Sequence, residues 1–410
     1  MKPWLTIIGI GADGLESLAS AQLNQVKNAD IIITAKRIAA SLEQQTQTPI
    51  KADIHVWPVP FDPMFENLFK WKGQNIVILA TGDPLWHGVG SIIARKLPPQ
   101  EYEVFPAPSA YSLAAARLGW PISSCELVTL HGYSRPSNLI RPFIQPGTRL
   151  ICLTGGNDTV HEVAYHLTAM GYGLSPMTVL ENMGDKTLEK RIDFLAQNIQ
   201  PNKKFATFNT IGFHCIVDKG ETVLPRTPGL PDNAFKHDGQ LTKQHVRAIT
   251  GCALSPSPGQ LLWDIGAGCG SIAVEWMRQH LSNRAIAFET HADRINLIEA
   301  NAELLGTPYL KIIKGNAPQS FKGQPRPDAI FIGGGITVEN LFIQAWKALK
   351  PDGVLVANAV TIESRNQLTS LQAKHGGTLS EIAISSLTEI GTKHTMKPAL
   401  PVLQWRVIKP

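Results

Sequence analysis

The sequence predicts an α/β protein of two domains, and three observations predict it. Short apolar runs alternate with longer amphipathic stretches along most of the chain, the pattern of sheets covered by helices. The alternation stops between residues 219 and 240, where Pro225, Pro228 and Pro231 stand among three glycines and mixed charges, a linker composition. Beyond it, Leu262-Trp263-Asp264-Ile265-Gly266-Ala267-Gly268-Cys269-Gly270 is an apolar strand that ends in three glycines spaced two apart and runs directly into the helical pattern 271–277. The domain boundary is placed near residue 228.

In chain order, the first part offers strands at 5–10, 31–34, 76–81, 103–105, 150–154 and 177–181. Between them lie amphipathic stretches at 15–29, 89–97, 112–118 and 159–170, and 206–217 reads as a closing β-segment. The N-terminus carries one lysine before an apolar run that enters a glycine turn, so it reads as a first core strand and not as a signal peptide. After the linker, a helix around 243–252 precedes strands at 261–265, 285–289, 310–314, 329–333 and 354–359. A last helix at 362–375 leads to 379–387 and 402–408, a terminal hairpin. The expected product is a doubly wound parallel sheet finished by antiparallel strands. Ligands bind such sheets beyond the carboxyl ends of the strands, where Asp264, Glu289, Asn316 and Gly333-Gly334-Gly335 all fall.

A chain of 410 residues suggests two or three domains, and 43% hydrophobic with 17% charged residues gives ample core. No run of 18 uncharged apolar residues appears, so no membrane span is expected. Five widely spaced cysteines without a CxxC pair argue for a reducing cytosol and against a disulfide frame or zinc site. The net charge of +5 is scattered, with no basic stripe, so nucleic acid is not an expected partner.

Two glycine motifs compete for a nucleotide. In the second half, the strand after the Gly266–Gly270 turn ends on Glu289, nineteen residues past Gly270, where a carboxylate accepts both hydroxyls of a ribose. Gly315-Asn316-Ala317 follows at the next turn. The spacing suits S-adenosylmethionine better than a dinucleotide. In the first half, Gly9-Ile10-Gly11-Ala12-Asp13-Gly14 matches the dinucleotide fingerprint. The second strand, however, runs into Lys36 and Arg37 where that fold needs an acid, which leaves an NADP-dependent oxidoreductase as an alternative. His161 and His166 are five apart and share no helix face, so no metal site is read there.

The first half resembles the tetrapyrrole methylase family, most closely its precorrin C5-methyltransferase branch. The likeness rests on residues 9–14, Thr81-Gly82-Asp83-Pro84, Pro106-Ala107-Pro108-Ser109-Ala110, Leu130-His131-Gly132 and Leu180-Glu181-Asn182-Met183-Gly184, in that order. The resemblance implies a two-lobed fold, with lobes at about 1–107 and 108–225, holding S-adenosylmethionine in the cleft between them. Gly82, Asp83, Ser109 and Ala110 are then cofactor residues, and Asp83 is a candidate for positioning donor or substrate. Ala107 stands where many relatives have glycine.

The second half is similar to a decarboxylating C15-methyltransferase with a Rossmann-like class I fold. It shares Leu230-Pro231-Asp232, Leu241-Thr242-Lys243, Val246-Arg247, the 262–270 run, Gly315 with Ala317-Pro318, residues 330–335, residues 357–361 and residues 398–402. The two resemblances imply domains at 1–225 and 241–410 joined by a linker at 226–240, each with its own S-adenosylmethionine. Together they imply C-methylation of a precorrin at C5 and C15, with loss of the ring-C acetate carboxyl, in cobalamin biosynthesis. In the second domain, Gly266, Ala267, Gly268, Cys269 and Gly270 would border the methionine and Thr242 would contact the cofactor, with Asp264 either touching it or orienting the loop. Glu289 would hold the ribose, and Asn316 (aspartate in relatives) with Ala317 the adenine. A substrate with many acetates and propionates needs cations, for which Lys243 and Arg247 are candidates, with Gly333 and Gly334 beside them. His245 replaces a glutamate. A cytoplasmic homo-oligomer is expected. Whether the substrate is metal-free or cobalt-bearing stays open, as do a non-catalytic tetrapyrrole carrier and an RNA methyltransferase as other uses of the chain.

Overall fold

A computed structural model describes residues 3–45, 50–58, 60–132 and 135–410. Met1 and Lys2 of the predicted N-terminal strand region lie outside them. By contacts the chain forms two compact units, Met1–Arg135 with Gly147–Asp218, and Pro136–Pro146 with Lys219–Pro410.

The first unit holds two sheets. Strands β1 (Leu5–Ile10), β2 (Ile31–Thr34), β3 (Asp53–Val56), β4 (Ile76–Thr81) and β5 (Tyr102–Phe105) make an all-parallel sheet in the order β3-β2-β4-β1-β5. Successive side chains point to opposite faces, and both faces are dry. Leu5, Ile7, Ile31, Ile33, Ile76 and Ile78 pack on one side, while Ile8, Ile10, Ile32, Val77 and Leu79 pack on the other. The second sheet contains β6 (Cys125–Thr129), β7 (Arg149–Leu153), β8 (Pro176–Glu181), β9 (Lys190–Leu195) and β10 (Asn209–His214), ordered β6-β7-β10-β8-β9. Only its β6–β7 pair is parallel. The segment read as a closing strand sits in the middle, and a Cβ on Gly212 would lie 2.4 Å from Leu118 Cδ1 of the helix Ala110–Leu118 packed over it.

The second unit is built on a sheet of β11 (Leu261–Ile265), β12 (Arg284–Glu289), β13 (Lys311–Lys314), β14 (Ala329–Ile332), β15 (Val354–Ala359), β16 (Thr378–Ile382) and, last in the chain, β19 (Val402–Ile408). A separate pair, β17 (Ser385–Ile390) and β18 (Lys393–Pro398), stands between β16 and β19 in sequence. The order β13-β12-β11-β14-β15-β19-β16 is doubly wound, parallel through β15 and antiparallel beyond it. The predicted terminal hairpin therefore exists as β16 with β19, but its connection is itself the β17–β18 hairpin, and the predicted strand 379–387 divides between β16 and β17.

Two segments differ from their reading in sequence. Residues 229–236 have linker composition yet are packed: Leu230 and Phe235 are buried, and Glu275 accepts the Gly229 and Leu230 N–H groups at 2.8 and 2.9 Å. Asn301 accepts the Lys236 N–H at 2.8 Å, so proline and glycine here fix an extended path whose donors are satisfied. The second is Pro136–Pro146, which the sequence assigns to the lobe 108–225 but which packs with the second unit. Its Leu139, Ile140, Phe143 and Ile144 are buried. Asn138 Nδ2 donates to the Glu303 carbonyl at 3.1 Å and Arg141 Nη1 to the Leu304 carbonyl at 2.7 Å, capping the end of the helix Ala292–Leu305.

Candidate active sites

In the first unit, the residues singled out in the sequence come together where β1 and β4 end. A Cβ on Gly9 would stand 2.5 Å from the Gly82 carbonyl oxygen and 2.7 Å from the Ala107 nitrogen, so only glycine lets these three segments meet. Ala107, with its methyl against Gly9, is accommodated because Gly9 has none. Gly82 turns the chain out of β4 with φ 65 and gives its N–H to the Ile10 carbonyl at 2.9 Å. Asp83 shapes the next turn, its Oδ1 accepting the Leu85 N–H at 2.8 Å. Ser109 caps the facing helix, its Oγ accepting the Ser112 N–H at 3.1 Å, and Ala110 is that helix's first residue. Gly82, Asp83, Ser109 and Ala110 are thus neighbours, as the sequence reading requires, with the Asp83 carboxylate and Ser109 hydroxyl engaged by main-chain donors.

The 9–14 turn is not built for a dinucleotide. That fold needs β1 between β2 and β4, whereas here β1 lies between β4 and β5. The Gly11 N–H goes to Ser17 Oγ at 3.0 Å and the Gly14 N–H to the Gly11 carbonyl at 3.2 Å. Arg37, one of the two basic residues behind the NADP alternative, lies 4.4 Å over the Phe208 ring.

In the second unit, the carboxyl ends of β11, β12 and β14 and the turn after β13 converge. Gly266, Gly268 and Gly270 all have positive φ (70, 59 and 77), which explains their spacing. Four of the loop N–H groups, however, are engaged within the fold. Gly266 and Ala267 donate to the Phe288 carbonyl, Gly270 to the Ala267 carbonyl, and Gly268 to Glu289 Oε2 at 2.9 Å. What the glycines give instead is close approach. A Cβ on Gly266 would lie 3.2 Å from the Gly334 nitrogen, one on Gly270 2.9 Å from Ile298 Cγ2, while the position on Gly334 is open. Gly333 ties that second loop to β11 through the Ile265 carbonyl at 3.0 Å.

Glu289 is buried, and its other oxygen accepts the Thr290 and His291 N–H groups at 2.8 and 3.1 Å, so the carboxylate is held rigidly at the strand end. Asp264 is also buried. Oδ2 accepts the Ala273 N–H at 3.1 Å, which orients the loop against its helix, whereas Oδ1 has no partner. Burial, reinforced by the Glu289 charge, raises its carboxyl to about 7 against the pull of the Ala273 N–H. Beyond β13, Gly315, Asn316 and Ala317 border an open cavity of ≈ 570 Å³ that also touches Lys314, Gln319, Ser320 and Val338.

The cationic candidates both reach Asp232 but differ in burial. Arg247 is 0% exposed: its Nε donates to Glu275 Oε1 at 2.7 Å and its Nη1 to Asp232 Oδ1 at 3.1 Å, and further N–H groups bond the carbonyls of Thr242 and Leu230. Every arm of the guanidinium is used inside the domain, so a substrate role for Arg247 is corrected to a structural one. The i, i+4 spacing from Lys243 suggested a shared surface, but Lys243 precedes the helix Gln244–Leu254 as its exposed cap, and Arg247 turns inward from it. His245 is exposed on the first turn. In the first unit, His161 Nε2 pairs with the Lys203 carbonyl at 2.8 Å. The sequence reading passed over the Arg247–Glu275–Asp232 network, whose only signal is a charged helix residue at a core position of 271–278.

Residues 4–197 match the tetrapyrrole (corrin/porphyrin) methylases, and residues 233–409 match the precorrin methyltransferase domain. The chain is 39% identical to the precorrin-6Y C(5,15)-methyltransferase [decarboxylating] of a Sinorhizobium species, over 99% of this chain and 96% of that protein. It is 36% identical to the protein of the same name from Mycobacterium tuberculosis H37Rv, over 99% of this chain and 100% of that one. A probable cobalt-precorrin-6B C(15)-methyltransferase (decarboxylating) of Saccharolobus solfataricus is 32% identical over 40% of this chain and 88% of its own length. With both halves matched and a full-length relative at 39% identity, the chain belongs to the family of precorrin-6Y C(5,15)-methyltransferases (decarboxylating).

Proposed function

We propose that this chain methylates precorrin-6Y at C5 in residues 1–225 and at C15 in residues 241–410, with loss of the ring-C acetate carboxyl, giving precorrin-8X. The observation that supports the reading is that glycine-built turns end strands in two sheets of unrelated topology, in one chain of this family. One S-adenosylmethionine would be held in each domain, supplying an electrophilic methyl group. Around it in the first domain stand Gly82, Asp83, Ser109 and Ala110. In the second, Glu289 would take the ribose, the cavity beside Asn316 and Ala317 the adenine, and Thr242, Asp264 and the 266–270 loop the methionine. The unpartnered Asp264 Oδ1 and that cavity fit such a ligand.

The residues then need only hold donor and nucleophilic carbon in line and exclude water, since orientation carries much of the rate of such a transfer. Asp83 acts as a positioning group. Lys243, with Gly333 and Gly334, stays a candidate for the substrate's carboxylates. The conjugated macrocycle itself accepts the electron pair released on decarboxylation. A cobalt-bearing substrate is the second reading, favoured by the cobalt-precorrin name of the Saccharolobus relative. We place the enzyme in the cytoplasm as a homo-oligomer, with the exposed Leu387, Ile390, Met396 and Leu400 around the β17–β18 hairpin as contact residues.

Equilibrium titration with S-adenosylmethionine tests the two-site reading. Two equivalents per chain are expected for the native protein, and one for Glu289→Ala. One equivalent for the native chain, or binding of NADP in its place, refutes it.

A further inference from the structure

Under the turn that ends β4, a buried hydroxyl lacks a partner. Tyr111 is fully buried, and its hydroxyl lies beside Thr129 without completing a hydrogen bond. Its ring carries Trp86 and His87 at centroid distances of 5.5 and 6.4 Å. Thr129 in turn fixes the segment after β6. Its Oγ1 accepts the His131 N–H at 3.1 Å and its carbonyl accepts from Arg135 Nη1 at 3.3 Å. One tyrosine and one threonine thus gather the His87 imidazole, the Arg135 guanidinium and the main chain of His131 from separate strand ends.

These groups are set out at some cost to the fold. His87 has φ 58, a left-handed conformation that a side-chain-bearing residue adopts only when its surroundings impose it. The imposing feature is local: a Cβ on Gly88 or Gly90 would lie 2.6 or 2.7 Å from the Pro84 carbonyl oxygen, so the turn after Asp83 is closed on itself. Burial, more than the nearby Arg135 and His131, holds His87 below the usual imidazole range. Among the described residues, no carboxylate enters that balance. On the same turn, Leu85 and Trp86 expose 50% and 43% of their surfaces, an apolar flank beside the cations.

We propose that His87, His131 and Arg135, floored by Tyr111 and flanked by Leu85 and Trp86, form the subsite for one peripheral carboxylate of the tetrapyrrole methylated in the N-terminal domain. The proposal rests on the reading that this domain methylates a tetrapyrrole. A flat macrocycle edged with acetates and propionates presents the complementary surface: a carboxylate for the imidazoles and the guanidinium fork, and an apolar face for the indole. The cluster adjoins the Gly82–Asp83 turn, so a carboxylate held there sets which ring edge faces the donor.

The test uses the full chain with precorrin-6Y and measures C5 methylation for Arg135→Gln, His131→Gln and Arg135→Lys, with S-adenosylmethionine stoichiometry as the check on folding. Losing one charge-assisted contact should raise KM about tenfold while kcat changes less than about twofold. Arg135→Lys, which keeps the charge but not the fork, should recover part of the loss. A KM unchanged in both glutamine variants, or a fall confined to kcat, overturns the subsite alone. Absence of C5 methylation by the native chain overturns the underlying reading as well.

Discussion

Arg247 and Asp264 carry opposite lessons about buried charge. Arg247 is compensated on every side, so truncating it strands Glu275, which then keeps only the Gly229 and Leu230 N–H groups. Arg247→Ala should cost about 3–5 kcal/mol in denaturant unfolding, the usual size for breaking a buried pair. Asp264 is undercompensated. Its folded carboxyl, at about 7, lies above the unfolded value near 3.8, so the folded state keeps a proton that the unfolded state releases. Stability should therefore fall as pH rises from about 4 to about 7 and level off above, and Asp264→Asn should flatten that slope in unfolding curves taken across the window. At this scale the sequence was informative wherever conformation dictates residue type. The positive φ values of Gly266, Gly268 and Gly270 make that spacing readable without coordinates. It was uninformative about direction, because the same i, i+4 spacing serves an exposed pair or, as with Arg247, a side chain turned into the core.

Among the strands, interior position made reading easy, though the edge strands β5 and β13 were read as well. The strands at 5–10, 31–34, 76–81, 261–265 and 354–359 are interior, dry on both faces and read directly as apolar runs. Those missed in the first unit, β3, β6 and β9, are sheet edges with half-exposed, polar side chains such as Asp53, Glu126 and Lys190, the composition that keeps edges from pairing with other chains. The Pro136–Pro146 strap was invisible for another reason: its apolar residues have neither strand nor helix period, and the helix end it caps lies more than 150 positions away. Gly306 is its seat. A Cβ there, at φ 80, would lie 2.7 Å from both the Asn138 carbonyl oxygen and Pro142 Cδ. Gly306→Val should destabilise the second unit by about 1–3 kcal/mol. In thermal unfolding of the whole chain, the transition of the second unit should shift down while that of the first stays in place.

For the molecule as a whole, the order of motifs carried more than any single motif. A six-residue glycine fingerprint at 9–14 suggested a dinucleotide, and the sheet order, with β1 between β4 and β5, removes that reading. Two halves matched to two methyltransferase families in one chain are harder to misread. The central claim is that both halves act on one substrate, and mass analysis of the product made from precorrin-6Y and labelled S-adenosylmethionine tests it most directly. The account predicts a product with two labelled methyl groups and one carbon dioxide lost. A product carrying a single methyl group, or two with the carboxyl retained, would contradict it.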